Sequence, residues 1–288
     1  MKKQILFLII LLSVFILFSS YALAEDNIKT ILSDYPYISE IERSIISKEI
    51  KEAIDLGVDT YDIESLISLA KKRKISPLAL KDIVSLINQA AKLHLYPDLL
   101  LNKAKEGLLK RVREDLIVEV LKKRLDYLRT SKLIIDSLNG KISPNDKEEL
   151  TFIIVQNLEN GLSEDVVTKL INYSFKKSVS FDTVGKILDD ISVLPAVGID
   201  DDAILKLGEF FFKRNVSEGG VKEVTDVILL AIKLGISPDK LSDFLKGAYR
   251  YRDYISLRNA ILRIIREGAK KNKIKKHTPS QALPPPPK

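Results

Sequence analysis

The sequence contains no cysteine and no tryptophan, and it has only two histidines, His94 and His277. The absence of cysteine excludes disulfide bonds, cysteine-based metal sites and the lipidated cysteine of a lipoprotein anchor. One of them lies at a predicted helix end and the other in the C-terminal tail, which argues against a histidine general base and against a serine–histidine pair. No glycine-rich nucleotide loop and no HExxH zinc motif is present. The composition therefore predicts a protein that is not an enzyme and that holds neither a metal nor a cofactor.

A strong surface charge of one sign is missing from the body of the chain, although the formal net charge is +7. Eight of the 46 lysines and arginines lie in the first three residues or after Gly268, and the remaining 38 face 39 acidic residues. The excess positive charge therefore belongs to the ends of the chain. A nearly neutral body lacks the basic face that nucleic-acid binding requires, so we expect no nucleic-acid partner.

Long apolar runs are absent except near the start of the sequence. A short basic segment precedes an apolar run at Ile5–Phe18, and Ala22-Leu23-Ala24 matches a signal-peptidase site. We interpret residues 1–24 as a cleaved signal peptide of bacterial type, which predicts a periplasmic or secreted protein. The alternative is an uncleaved anchor, because residues 5–24 are just long enough to span a membrane. Residues 25–38 then form an N-terminal leader or cap.

The rest of the sequence is organised by a repeat of 37 residues. Each repeat begins with a serine. An aliphatic residue lies seven positions after this serine, and an isoleucine lies eleven positions after it. These positions lie on one face of a helix, and serine is a preferred N-cap residue. A glycine, or His94 in the second repeat, ends this helix, and a second capped helix follows. The five serines are Ser39, Ser76, Ser143, Ser180 and Ser217. The interval between the second and the third is 30 residues longer than the others.

A hairpin of two such helices cannot bury its apolar faces alone, so neighbouring repeats must stack. We therefore predict an all-α fold, an α-solenoid of about five 37-residue two-helix repeats with one long inserted helix. The long helix either packs along its own solenoid or forms the seam of a homodimer. The repeat domain, residues 39–268, divides into units 39–75, 76–112, 143–179, 180–216 and 217–253, the long helix at 113–142 and a capping helix at 254–268.

In form these units resemble the tandem helix-hairpin repeat proteins, a class that includes tetratricopeptide and HEAT arrays. The likeness is one of architecture, because the tetratricopeptide period is 34 residues and its tryptophan-containing signature is absent here. The resemblance implies a stacked array that binds proteins or peptides on its concave face.

The second helices of the later repeats are rich in basic and aromatic residues. Stacking would bring these residues into one ladder, which we interpret as a surface for a protein, a peptide, or an anionic polymer or lipid. Each feature also has a structural explanation, since basic residues complement helix C-termini and aromatic residues pack in cores. The candidate partner surface comprises Tyr173, Phe175, Lys176, Lys177, Phe210, Phe212, Lys213, Arg214, Tyr249 and Arg250.

These features predict an exported, non-enzymatic binding or scaffold protein of the bacterial envelope. The alternative is an envelope structural protein whose C-terminal tail attaches it to anionic membrane or wall polymer. The tail, residues 269–288, is basic and proline-rich, and we expect it to be disordered. Five of its lysines would contact the anionic surface: Lys270, Lys271, Lys273, Lys275 and Lys276.

Overall fold

The computed structural model describes residues 28–35, 38–138, 140 and 142–277, with side chains described as far as Gly268. The predicted signal peptide and residues 278–288 lie outside these ranges. The described residues form an all-α fold without β-strands, and none of their helices is long and apolar enough to cross a membrane. The helices are α1 (28–33), α2 (Glu40–Asp55), α3 (Thr60–Arg73), α4 (Pro77–Lys92), α5 (Pro97–Leu109), α6 (Glu114–Ser137), α7 (Pro144–Glu159), α8 (Glu164–Lys176), α9 (Phe181–Ile191), α10 (Asp201–Lys213), α11 (Glu218–Lys233), α12 (Pro238–Leu245) and α13 (Tyr254–His277), with 3-10 turns at Pro195–Val197 and Ala248–Arg250.

The five repeat serines all act as N-caps, as the sequence predicts. Each side-chain oxygen accepts a hydrogen bond from the backbone N–H three residues later. The isoleucines eleven positions after these serines are at most 1% exposed. The glycines that follow the first helices adopt left-handed conformations with φ from +86° to +106°, and His94 does so with φ +52°. The interpretation of His94 as a substitute for glycine is therefore confirmed.

The chain divides into two compact units at Lys132, within helix α6. In the first unit, α2 packs against α4, and α3 packs against α5. Helix α1 extends this unit towards the N-terminus, where Ile28 and Leu32 are buried. The Tyr35 hydroxyl donates a hydrogen bond to the Ile75 carbonyl at 2.8 Å. The leader expected at residues 25–38 therefore contributes a packed element to the first unit.

In the second unit, the first helices of successive repeats also pack against each other, in the order α7, α9, α11 and α13. The second helices α8, α10 and α12 do the same. Helix α13 begins 37 residues after Ser217, and Ile261, seven positions further on, is buried. The helix expected to act as a cap therefore takes the position of a sixth first helix.

Two helices are shorter than the others of the repeats, and one extends past its predicted end. Helix α9 ends early, at Ile191. Pro195 lacks the N–H that a continuing helix would need there, and it begins a 3-10 turn instead. Helix α12 ends at Leu245, before Gly247. Helix α13 does not end at Gly268 as expected but continues to His277. One glycine inside a helix costs only about 1 kcal/mol relative to alanine, and the helix continues through Gly268.

Candidate functional site

The basic residues of the candidate surface lie where α8 and α10 end. Lys176, Lys177, Lys213 and Arg214 are all exposed. The three lysines form no ion pair within the described part of the chain. Arg214 donates a hydrogen bond to the carbonyl of Tyr251 at 3.1 Å. Positive charge at this edge is thus available to a partner.

The phenylalanines of the candidate surface belong to the core. Phe210 and Phe212 are 2% and 3% exposed, and Phe211 between them is fully buried. Successive residues point about 100° apart on a helix, but α10 is covered by α8 and by α12. All three rings are therefore buried, and the assignment of Phe210 and Phe212 to an exposed partner surface is wrong.

The remaining aromatic residues of the candidate surface are more accessible. Tyr173 is half-buried and stacks on Phe212, with ring centroids 6.3 Å apart. Phe175 is also half-buried. Tyr249, on the 3-10 turn after α12, is 56% exposed, and the Arg250 guanidinium lies 5.6 Å from the centre of its ring. Tyr249 and Arg250 thus form an exposed cation–π pair of their own.

A cleft of about 460 Å³ opens beside the lysines, in the size range of ligand pockets. Its walls come from the ends of α8 and α10 and from the starts of α9 and α11. Ile187, Phe211, Phe212 and Val216 form a buried apolar floor, and unpaired Lys177 lines the edge. The cleft therefore lies over a buried apolar layer and has a free positive charge at its edge.

Two acids and one lysine form the polar wall of this cleft. The Lys186 ammonium lies 3.1 Å from the carboxylate of Asp182 and 3.5 Å from that of Glu218. The hydrogen bond to Asp182, aided by both negative charges, raises the pKa of Lys186 above its ordinary value. Lys186 therefore stays protonated and holds Glu218 on its own side of the cleft.

The first unit has the matching place between its repeats, 104 residues earlier in the chain, and we call this place the repeat corner. There the matching glutamate closes on the serine. The Glu114 carboxylate accepts a hydrogen bond from the Ser76 N–H and another from the Ser76 hydroxyl, each at 2.8 Å. Gly107 lies in direct contact with Ile117, since a Cβ on this glycine would be 2.9 Å from Cγ1 of the isoleucine. The matching pairs of the two corners are Ser76 and Ser180, Asp82 and Lys186, Gly107 and Phe211, and Glu114 and Glu218.

The corresponding serine of the second unit is not closed in this way. The Ser180 hydroxyl lies 2.8 Å from the Thr183 hydroxyl and accepts a hydrogen bond from the Thr183 N–H. Among the described residues, no acceptor faces the N–H of Ser180. Glu218, the counterpart of Glu114, pairs with Lys186 instead. The first unit has Asp82 where Lys186 stands, so Glu114 has no lysine there to draw it from Ser76.

Comparisons with protein-family models, curated proteins and solved structures found no match to this chain. Its function must therefore be argued from its own residues. The described side chains contain no group of three or more histidines and acids placed to bind a metal ion.

The sequence-based candidate set included Lys177 at the edge of the cleft but missed Lys186 and Glu218. It considered the ends of second helices, whereas half of the cleft comes from the starts of first helices. Alignment of the repeats contains a usable signal, because Phe211 and Lys186 replace a glycine and an aspartate of the second repeat. At this corner, matched positions of the two units differ in side-chain size and in charge.

Proposed function

We propose that the chain is an exported, non-enzymatic binding or scaffold protein of the bacterial envelope, with its repeats stacked as an α-solenoid. Within each compact unit, first helices pack on first helices and second helices on second helices, which supports the stacking. The caps and buried isoleucines recur at the same 37-residue interval. The signal peptide predicted at residues 1–24 supports export.

The observation that carries the binding function is the cleft of the second unit, with unpaired lysines at its edge. Lys177 lines the cleft, and Lys176 and Lys213 adjoin lining residues in the chain. Exposed charges of this kind contribute little to stability beyond their favourable position at helix ends. An acidic region of a protein or peptide partner complements them.

Charge reversal at the cleft tests this proposal. The immobilised mature chain, carrying Lys177→Glu and Lys213→Glu together, is compared with the wild type for capture of partners from envelope extract. The control variant carries Lys233→Glu and Lys240→Glu, since both lysines are exposed in the same unit and Lys233 also ends a helix. We expect the first variant to lose its main partner and the control to retain it. An unchanged set of partners in the first variant contradicts the proposed surface.

A second candidate function is attachment to anionic membrane or wall polymer through the C-terminal lysines. The backbone of α13 continues to His277, so the run from Lys270 to Lys276 is carried on a helix, which favours this candidate. Basic residues near an anionic membrane contribute roughly 1 kcal/mol each. Removal of residues 269–288 is expected to release the protein from the membrane or wall fraction. Unchanged fractionation excludes this function.

A further inference from the structure

We infer that a groove between α5 and α6 of the first unit binds an amphipathic helix of a partner protein. Val112, Leu116 and Val120 line this groove and are 37–43% exposed, so a partner can reach them. The bound helix takes the place that the second helix of a repeat takes elsewhere in the chain. The groove is distinct from the cleft of the second unit, and the inference does not depend on the lysines there.

The repeat register shows which helices of the second unit correspond to α5 and α6. Helix α5 matches α10, and α6 and α11 both begin 38 residues after the serine of the preceding repeat. After α11 the chain turns back, and α12 packs on α10 as the second helix of that repeat. Helix α6 instead runs on to Ser137, so the chain forms no hairpin at the matching place of the first unit.

The matched residues of the second unit show what this place holds when it is covered. Val216 and Val224, the counterparts of the two valines in the groove, are 6% and 0% exposed. Helix α12, which packs there, is amphipathic and buries Leu241 and Leu245. The chain therefore contains its own example of the occupant, an amphipathic helix seated on one first helix and one second helix.

A polar rim distinguishes the open groove from its covered counterpart. Leu207 and Phe210 of α10 are buried. The first unit has Lys103 and Glu106 at these positions, joined by an ion pair at 3.1 Å, and Glu106 also pairs with Lys110. Exposed ion pairs stay hydrated beside a bound partner, as in the polar rim of an interface. Two lysines and one glutamate on the rim favour a helix with an acidic residue at its margin.

The shape of the groove favours a helix over a small molecule. Its volume is about 140 Å³, below the roughly 300–1,000 Å³ of small-molecule pockets. Leu116 and Val120 lie one turn apart on α6. Helix-in-groove recognition uses apolar side chains with the same spacing, at positions i, i+3 or i+4, and i+7 of the bound helix.

The test is a fluorescence-anisotropy titration of residues 25–288 with a fluorescein-labelled helical peptide. The probe has leucine on one face and alanine, glutamate and lysine elsewhere, and the control probe has the same composition with its leucines spread around the helix. Val120→Glu places a charge in the groove. Leu78→Glu is the matched control, since Leu78 is 62% exposed on α4 of the same unit and does not line the groove. Lys103→Leu introduces the residue that the second unit has there.

We expect the wild type and Leu78→Glu to prefer the amphipathic probe over the control probe. Val120→Glu is expected to weaken binding about tenfold, because the bound helix would desolvate its carboxylate, and to leave Tm unchanged. Lys103→Leu is expected to strengthen binding about threefold, since it enlarges the apolar surface that the helix covers. A damaged fold cannot produce that increase.

Equal affinity for the two probes, or equal weakening by Val120→Glu and Leu78→Glu, overturns the inference. Weakening by Lys177→Glu with Lys213→Glu would place the probe at the cleft of the second unit and also overturns it. Sedimentation velocity of the free protein tests whether a second copy covers the groove. A monomer supports a separate partner helix, whereas a dimer that Val120→Glu converts to a monomer contradicts it.

Discussion

At one repeat corner of the first unit, Glu114 closes on Ser76. At the matching corner of the second unit, Glu218 pairs with Lys186 and leaves the N–H of Ser180 without an acceptor among the described residues. Both corners have a serine cap followed by a helix with buried aliphatic residues. The contrast shows that the cap serine and the buried aliphatic residues can stay constant while neighbouring residues determine whether a glutamate accepts from that serine.

The largest effect is expected from Phe211, the floor residue that replaces Gly107. Phe211 is fully buried, so Phe211→Ala removes a ring from the core and is expected to lower the free energy of unfolding by about 3–5 kcal/mol. Urea denaturation measures this loss. Tyr249→Ala serves as an exposed aromatic control, for which we expect a change below about 0.5 kcal/mol. A loss below about 1 kcal/mol for Phe211→Ala contradicts its role as the core of this corner.

A smaller effect is expected from the two matched glutamates. Glu114→Ala leaves the half-buried Ser76 without its carboxylate partner, and we expect a loss of about 1–3 kcal/mol. Glu218→Ala removes only a solvent-exposed ion pair and should cost less than about 1 kcal/mol. Both residues lie in the first turn of a helix, so the dipole contribution is similar. Equal losses in urea denaturation refute the distinction between a closed and an open corner.

The smallest effect concerns Asp190, an acid near the open corner. The first unit has the buried Leu86 at the matching position. Asp190 has a buried carboxylate oxygen without a hydrogen-bond partner among the described residues. Burial, with a contribution from Glu218, raises the pKa of Asp190 above its ordinary value. The folded state therefore binds this proton more readily than the unfolded state, and stability is lost as pH rises from the ordinary pKa through the raised one.

Asp190→Asn should consequently raise Tm at pH 7 by a few degrees, on the order of 2 °C, and leave it nearly unchanged at pH 3. Thermal unfolding followed by circular dichroism at both pH values measures the difference. Asp239→Asn, at an exposed position of the same unit, is the control and should not raise Tm at pH 7. A shift of the same size at pH 3 and pH 7 indicates a cause other than the charge of Asp190.

The sequence predicted the local and periodic features of the fold. The cap of Ser180, the left-handed His94 and the buried Ile191 each follow from residues near them in the chain. The burial of Phe210 and Phe212 could not be predicted in this way, because it depends on α8 and α12 covering α10 from both sides.

The cleft lay beyond sequence reasoning for a related reason. Its open state depends on Glu218 pairing with Lys186 rather than with Ser180, and three separate segments supply these residues. Their spacing in the sequence does not indicate which of two nearby partners a carboxylate selects. The aligned exchange of Asp82 for Lys186 becomes informative only when the hydrogen bonds of Glu114 are known.

Backbone amide exchange at Ser76 and Ser180, measured by NMR on residues 25–288, tests the central contrast most directly. We predict slow exchange at Ser76, whose N–H is bonded to Glu114, and fast exchange at Ser180. Similar protection of the two amides would contradict the account.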